Sequence, residues 1–308
     1  MARIVVCEFM DAPGIAAMRA VHEVVYEPTL VDDPAALHAL AAAADALVVR
    51  NRTQVRGALL ASLTRCRLVG RLGVGLDNID VPACQARGIA VVPATGANAR
   101  SVAEYVIAAA MLLLRGVYGA SDQVAAGRWP REALSWGREI GGKRLGLVGF
   151  GSIGRVTADL ARAVGMQVVA FDAALPAGDP AYRDHGVEPL DLDAVVSSAD
   201  VVSIHVPLLD STRGLFDAAR IATMQRGAVL VNAARGGIVD EAALAAALKS
   251  GQLGGAALDV FATEPLAAGS VLADCPNLIL TPHVAGPSLE SNQRVSLLIA
   301  EKILEGLR

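Results

Sequence analysis

An α/β fold with two doubly wound parallel sheets is predicted from three observations. Short β-branched runs alternate with Ala- and Leu-rich stretches of helical period along nearly all 308 residues. That rhythm breaks once, near the end of the first hundred residues, and then resumes. The second series opens on a glycine-rich turn set between a strand and a helix. The length suits about two domains at the usual ~150 residues each. Hydrophobic residues make up 54% and aromatics only 4%, so the cores must be built from Ala, Val, Leu and Ile, a balance that excludes a disordered chain.

The first series reads as strands at 4–6, 46–49, 68–69 and 89–92, bounded by helical segments. Ser101 and Glu104 then have the Ser-x-x-Glu spacing of a capping box, predicting a long apolar helix through about Leu114 and a domain boundary beside it. After a stretch containing Gly127, Arg128, Trp129 and Arg131, a second series begins at Arg144, with strands at 145–148, 168–171, 201–204, 228–231, 255–258 and 278–280 and helical stretches such as 241–248. From Pro287 to Arg308 the pattern is again amphipathic and helical.

Several function classes drop out. A net charge of −4 gives no basic field for nucleic acid. The longest apolar run, Tyr105 to Leu114, is well short of the roughly 18 residues of a membrane span. Glu8 follows only four apolar positions, too soon for a signal peptide, so a cytoplasmic protein is expected. Cys7, Cys66, Cys84 and Cys275 are scattered without metal-ligand spacing, and read as free thiols in a reducing compartment with no metal.

The turn Gly149-Phe150-Gly151-Ser152-Ile153-Gly154 has the spacing of a Rossmann-type dinucleotide site. Its first glycine permits the tight turn, the second admits a pyrophosphate close to the backbone, and the third lets helix pack on strand. Asp172 ends the next strand eighteen residues beyond Gly154, where an acid accepts bonds from the ribose hydroxyls and repels a 2′-phosphate. No Arg or Lys adjoins it, so the predicted cofactor is NAD rather than NADP.

Three later strand ends carry unusually polar loops holding Arg235, Glu264 and His283. In a parallel sheet such ends share one edge beside the cofactor, so the three can converge. Hydride exchange with an alcohol needs a proton acceptor, a role suited to the imidazole of His283. Glu264 would orient that ring, and Arg235 would grip a substrate carboxylate with its guanidinium fork. His205, at another strand end, is predicted to line the cofactor groove, while His22, His38 and His185 are expected on the surface.

With these residues in view, the chain resembles the D-isomer-specific 2-hydroxyacid dehydrogenases over nearly its whole length. The motifs that carry the likeness are Gly73-Val74-Gly75-Leu76-Asp77-Asn78-Ile79-Asp80, Asn98-Ala99-Arg100-Ser101-Val102-Ala103-Glu104, the glycine turn, residues 232–241, Ala257-Leu258-Asp259-Val260-Phe261 and residues 281–286. The resemblance implies that Arg235, Glu264 and His283 are catalytic. It implies that Ser152, Ile153, Asp172, His205, Val206, Pro207, Ala233, Ala234, Asp259 and Gly286 contact NAD, and that backbone at Val74 and Gly75 cradles the substrate carboxylate. It also implies a smaller, flavodoxin-like substrate domain of residues 1–98 and 288–308, an NAD domain of residues 99–287, and a homodimer to which residues 116–141 contribute. No serine-binding regulatory extension like that of some phosphoglycerate dehydrogenases is expected.

Arg52 lies in the loop after the strand at 46–49, where a second cation would favour an acid with two anionic groups, 3-phosphoglycerate or (S)-sulfolactate. The alternatives are a general 2-oxo acid reductase of the hydroxypyruvate or glyoxylate type, and a non-enzymatic NAD-sensing interaction protein. A formate dehydrogenase would be expected to have Gln at position 264.

Overall fold

The computed structural model describes Met1–Arg308, and the chain divides into two compact units, Met1–Asn98 with Pro287–Arg308, and Ala99–Gly286. In the first unit β1 (Arg3–Val6), α1 (Ala12–Arg19), β2 (Glu23–Tyr26), α2 (Pro34–Ala42), β3 (Ala46–Val49), α3 (Gly57–Ser62), β4 (Leu68–Arg71), α4 (Val81–Ala86) and β5 (Ala90–Pro93) follow in turn. They build a parallel sheet in the order β2-β1-β3-β4-β5. Strand β3 is buried along its whole length, which explains a continuous apolar run in place of alternation. Val5, Leu47, Val49 and Val69 point into one layer with Leu37, Leu60 and Ile89. Ile4, Val6, Ala46, Val48 and Leu68 point into the other, against Met18 of α1 and Ile299 and Ile303 of the C-terminal helix, Leu289–Gly306. Gly14 lets those two helices approach, since a Cβ there would lie 2.7 Å from the Ser296 carbonyl oxygen.

The second unit contains α5 (Ala99–Arg115), α6 (Ser121–Ala125), β6 (Arg144–Val148), α7 (Ser152–Ala163), β7 (Gln167–Phe171), α8 (Pro180–Asp184), β8 (Glu188–Pro189), α9 (Leu192–Ser198), β9 (Val201–Ile204), α10 (Ala218–Thr223), β10 (Ala228–Asn232), α11 (Glu241–Lys249), β11 (Leu253–Leu258) and β12 (Leu278–Leu280). Its seven strands are all parallel, in the order β12-β11-β10-β9-β6-β7-β8. All strand C-termini therefore fall on one edge. Val106, Ala110 and Leu113 of α5 and Ala158 and Ala161 of α7 cover one face of the sheet, and Val195, Phe216 and Leu244 cover the other.

Two strands, β2 and β8, were not expected. β2 is a short edge strand of Glu23, Val24, Val25 and Tyr26, whose β-branched and aromatic residues are a local strand signal that the sequence analysis passed over, whereas β8 is two residues ending in Pro and carries little signal. The predicted capping box is also corrected. Helix α5 begins at Ala99, which is buried with Val102, Ala103 and Val106, so core packing starts the helix upstream of Ser101 and leaves that residue inside it. Glu104 instead meets Arg100 Nε at 2.5 Å, one turn away. Capping by a serine occurs at the C-terminal helix, where Ser288 and Ser291 satisfy one another's backbone N–H groups. No single helix is long and apolar enough to cross a membrane.

Candidate active site

At the C-terminal end of β6 the chain turns sharply at Gly149, whose φ of +103° suits glycine. A Cβ there would lie 2.6 Å from the His205 carbonyl oxygen, and one at Gly154 would lie 2.4 Å from the Gly149 oxygen. Gly151 differs, because a Cβ there would meet nothing within 4 Å; the open space beside it suits a phosphate. Gly151 is the N-cap of the twelve-residue α7, which has neither a side-chain cap nor an acid in its first turn. The N–H groups around Ser152 and Ile153 thus face open space with a helix dipole behind them, the arrangement a pyrophosphate requires.

Asp172 follows β7, with Oδ2 accepting the Phe150 N–H at 2.7 Å and Oδ1 accepting the Ala174 N–H at 2.8 Å. Carboxylate and glycine turn are thereby locked together, with lone pairs left for ribose hydroxyls. Phe150 is fully buried, stacked on Tyr182 at 4.9 Å between centroids and met edge-on by His185. His185 also bonds Asp159 through Nδ1 at 2.8 Å, so it belongs to the packing behind the turn and not to the free surface expected of it. His205, after β9, holds Ser203 Oγ through Nε2 at 2.9 Å, and desolvation pushes its imidazole down to about 4, leaving it neutral. Val206 and Pro207 follow it, with Val206 Cγ1 within reach of the Gly149 position.

After β10, the buried Asn232 accepts the Ala234 N–H with Oδ1 and donates from Nδ2 to the Arg235 carbonyl oxygen, at 3.1 and 2.9 Å. Ala233, Ala234 and Arg235 are fixed in a tight loop, with Arg235 Nη1 on the Ala234 oxygen at 2.6 Å. Gly236 presses this loop onto the next one, since a Cβ there would stand 1.7 Å from the Phe261 carbonyl oxygen. In that next loop, after β11, Glu264 accepts the Phe261 N–H with Oε1 at 3.0 Å and bonds His283 Nδ1 with Oε2 at 2.8 Å. A carboxylate only accepts, so Nδ1 carries the proton and Nε2 of the neutral ring is left as the basic atom. The imidazole is half exposed.

His283 has a φ of +58°, an uncommon conformation for any residue but glycine. Asp259, 1% exposed, holds it there. Its peptide oxygen accepts the His283 N–H at 2.8 Å. Its carboxylate accepts the Thr281 hydroxyl at 2.6 Å and the N–H groups of Val284 and Ala285 at 2.8 Å each. Gly286 ends this unit. The sequence reading did not single out Thr281 or its partner Tyr105, whose hydroxyl lies 2.8 Å from Thr281 Oγ1.

In the first unit, the loop after β3 is held from both sides. Glu8, 4% exposed, accepts the N–H groups of Arg50, Asn51, Arg52 and Thr53 at 2.8, 3.3, 3.1 and 3.1 Å. Asn78 Nδ2 donates to the carbonyl oxygens of Arg50 and Thr53. Arg50 reaches Asn292 Oδ1 at 2.8 Å. Arg52 is more than half exposed and pairs with both oxygens of Asp32, whose carboxyl it keeps below the usual carboxylate range. Val74 and Gly75 lie in the partly buried loop after β4. Glu8 was visible in the sequence as an acid closing an apolar run, but its role depends on β3 lying beside β1.

Residues 107–285, more than half of the chain, match the family model for the D-isomer specific 2-hydroxyacid dehydrogenase, NAD binding domain. Over 308 residues, covering 100% of this chain and 99% of the relative, it is 50% identical to the (S)-sulfolactate dehydrogenase of Chromohalobacter salexigens. It is 41% identical over 261 residues to the D-3-phosphoglycerate dehydrogenase of Mycobacterium bovis, covering 84% of this chain and 48% of that protein. A Thermus thermophilus protein of known structure superposes with a TM-score of 0.87 at 31% identity, covering 99% of this chain and 96% of the other. A glycine turn built for a dinucleotide, a carboxylate-held imidazole on the same sheet edge and these likenesses agree: the chain belongs to the NAD-binding D-isomer-specific 2-hydroxyacid dehydrogenases.

Proposed function

We propose that the chain interconverts a small D-2-hydroxy acid carrying a second anionic group, (S)-sulfolactate or 3-phosphoglycerate, and its 2-oxo acid. The observation that carries this reading is the 2.8 Å bond from His283 Nδ1 to Glu264 on the sheet edge that also bears the glycine turn. The two named relatives act on acids of this kind, and (S)-sulfolactate has the spatial arrangement of a D-2-hydroxy acid because sulfur reverses the naming priority.

The cofactor, when bound, accepts a hydride from the alcohol carbon or returns one to the carbonyl. His283 Nε2 takes the hydroxyl proton as the carbon–oxygen double bond forms, and gives it back in reduction. Glu264 holds the ring so that Nε2 faces outward and stabilises the imidazolium that results. Arg235 binds the substrate carboxylate and polarises the neighbouring carbonyl. Gly149, Gly151, Ser152, Ile153 and Gly154 are assigned to the pyrophosphate, and Asp172 to the adenosine ribose. His205, Val206, Pro207, Ala233, Ala234, Asp259 and Gly286 are assigned to the remainder of NAD. In the first unit, Val74 and Gly75 are assigned to the substrate carboxylate, and Arg52 to the second anion. We also assign a cytoplasmic homodimer. Three buried free cysteines support the compartment, and the exposed Tyr118, Trp129 and Trp136 support self-association through residues 116–141.

The test is NADH formation from (S)-sulfolactate, 3-phospho-D-glycerate, D-glycerate and D-lactate, with NADP in parallel. A kcat/KM preference for a doubly charged acid with NAD is expected. His283→Ala should lower kcat by about 10²–10⁴-fold while NADH still binds. A variant retaining most of its rate would overturn the assignment of the proton carrier, and a preference for lactate would return Arg52 to a solvated role.

A further inference from the structure

Asp259 is almost wholly buried, and a buried carboxylate must be matched by donors. Three of these come from the His283 loop, and the hydroxyl of Thr281 is the nearest, at 2.6 Å. An ionised carboxylate can only accept, so the single proton of Thr281 Oγ1 is committed to Asp259 Oδ1. In the 2.8 Å contact between Tyr105 and Thr281, the threonine oxygen must then accept and the phenol must donate. The proton order of the chain is thereby settled as Tyr105 to Thr281 to Asp259.

Tyr105 stands on α5, whose neighbouring Val102, Val106 and Ile107 are buried apolar side chains. Desolvation keeps its phenol protonated by pushing its pKa up. A phenylalanine would fill the same space, so the distinctive contribution of this residue is its hydroxyl. Hydrogen bonds in series polarise one another, and the last member of this series, the Asp259 carboxylate, binds the N–H groups of Val284 and Ala285 directly after His283, while the Asp259 peptide oxygen binds the N–H of His283 itself. His283 sits there at a φ of +58°, a conformation that must be imposed by its surroundings.

We propose that Tyr105 is a positioning residue for the proton carrier, acting through the Thr281 hydroxyl and the Asp259 carboxylate on the loop that holds His283. The inference rests on the reading of His283 given above. Tyr105 touches neither substrate nor cofactor in this role. It sets how much of the time the imidazole presents Nε2 in the reactive orientation, with Glu264 and Asp259 the charged groups around the loop.

Three variants test it in the full-length enzyme. Tyr105→Phe should lower kcat by about three- to tenfold, the worth of one ordinary hydrogen bond, with KM and NADH affinity held within about twofold. Thr281→Ser should keep near wild-type kcat. Thr281→Val should cost more than Tyr105→Phe, and adding Tyr105→Phe to it should cost nothing further, since the relay is already cut. A readout independent of turnover is the imidazole signal of His283 in NMR spectra of the cofactor-free protein, assigned with His283→Asn. Tyr105→Phe should shift or broaden it while leaving the His22 and His38 signals in place. Wild-type kcat together with an unchanged His283 signal would overturn the proposal, as would additive losses in the double variant. If the wild-type enzyme turned over no acid, the reading of His283 would fail instead, and the NMR comparison would still decide the relay.

Discussion

Two buried carboxylates, one in each unit, do the same structural job with different consequences. Glu8 follows β1 and gathers four N–H groups from the loop after the adjacent β3. Asp259 follows β11 and gathers the loop after the adjacent β12. Glu8 takes only backbone groups, so the N–H groups of residues 50–53 are bound inward and the loop can meet an anion only through its side chains. Asp259 takes backbone and a hydroxyl, and the residue it fixes is an imidazole in an unfavourable backbone conformation. The first arrangement suits recognition by charge, where a shift of a few tenths of an ångström matters little. The second suits proton transfer, which needs Nε2 within about 3.2 Å of its partner. On the proposed function, the same device serves specificity in one unit and chemistry in the other.

Replacing each carboxylate by its amide should separate these roles. Asp259→Asn turns an NH2 group toward donors, and is expected to cost about 1–3 kcal/mol of stability together with a loss of kcat on the order of 10²-fold. Glu8→Gln is expected to cost similar stability, but to raise KM for the doubly charged acid with kcat nearly unchanged. Urea unfolding and steady-state kinetics measure both. A Glu8→Gln enzyme that lost kcat as severely as Asp259→Asn would break the comparison.

A smaller effect sharpens the first-unit half. Arg52 is held by Asp32, so its charge is shared before any ligand arrives. If Arg52 meets the second anion, Arg52→Gln should raise KM for that acid by about tenfold and leave D-lactate unaffected, whereas Asp32→Asn should lower KM by releasing the guanidinium. Two variants of opposite sign at one ion pair are difficult to mimic by unfolding. Equal KM values in all three proteins would place the pair on the solvated surface, where such bridges contribute little.

What was legible in the sequence follows the range of each signal. The glycine turn, Asp172 and the loops bearing Arg235, Glu264 and His283 each announce themselves within a few residues of a strand, and the all-parallel order gathers them on one edge. Glu8 and Asn78 are separated from the loop they hold by a strand neighbour relation that no local pattern encodes. Asp259 could be marked as a site residue, but its turn toward residues 281–285 depends on β12 lying beside β11. Tyr105 looked like one apolar position among many, because only the fold places its hydroxyl against Thr281. Phe150 reads as a filler between two glycines until Tyr182 and His185 are seen to close around it.

The last expected effect concerns acid stability, and it again divides the units. His205 follows β9 in the second unit, its imidazole pushed from 6.5 down to about 4 by desolvation. Above about pH 6.5 folded and unfolded forms are both neutral and the residue is silent. As pH falls below that, the unfolded chain binds the proton first, so native stability declines until the folded imidazole also protonates near pH 4. The full loss would be about 3 kcal/mol, less whatever solvent access relieves. His205→Gln keeps a polar atom near Ser203 and removes the titration, so its stability should fall less between pH 6.5 and 4. Amide exchange reads the two units separately: on acidification, protection in β9 should fall before protection in β3, and the substitution should close that gap. Equal protection losses in wild type and variant would mean that the acid sensitivity of the second unit lies elsewhere than in this imidazole.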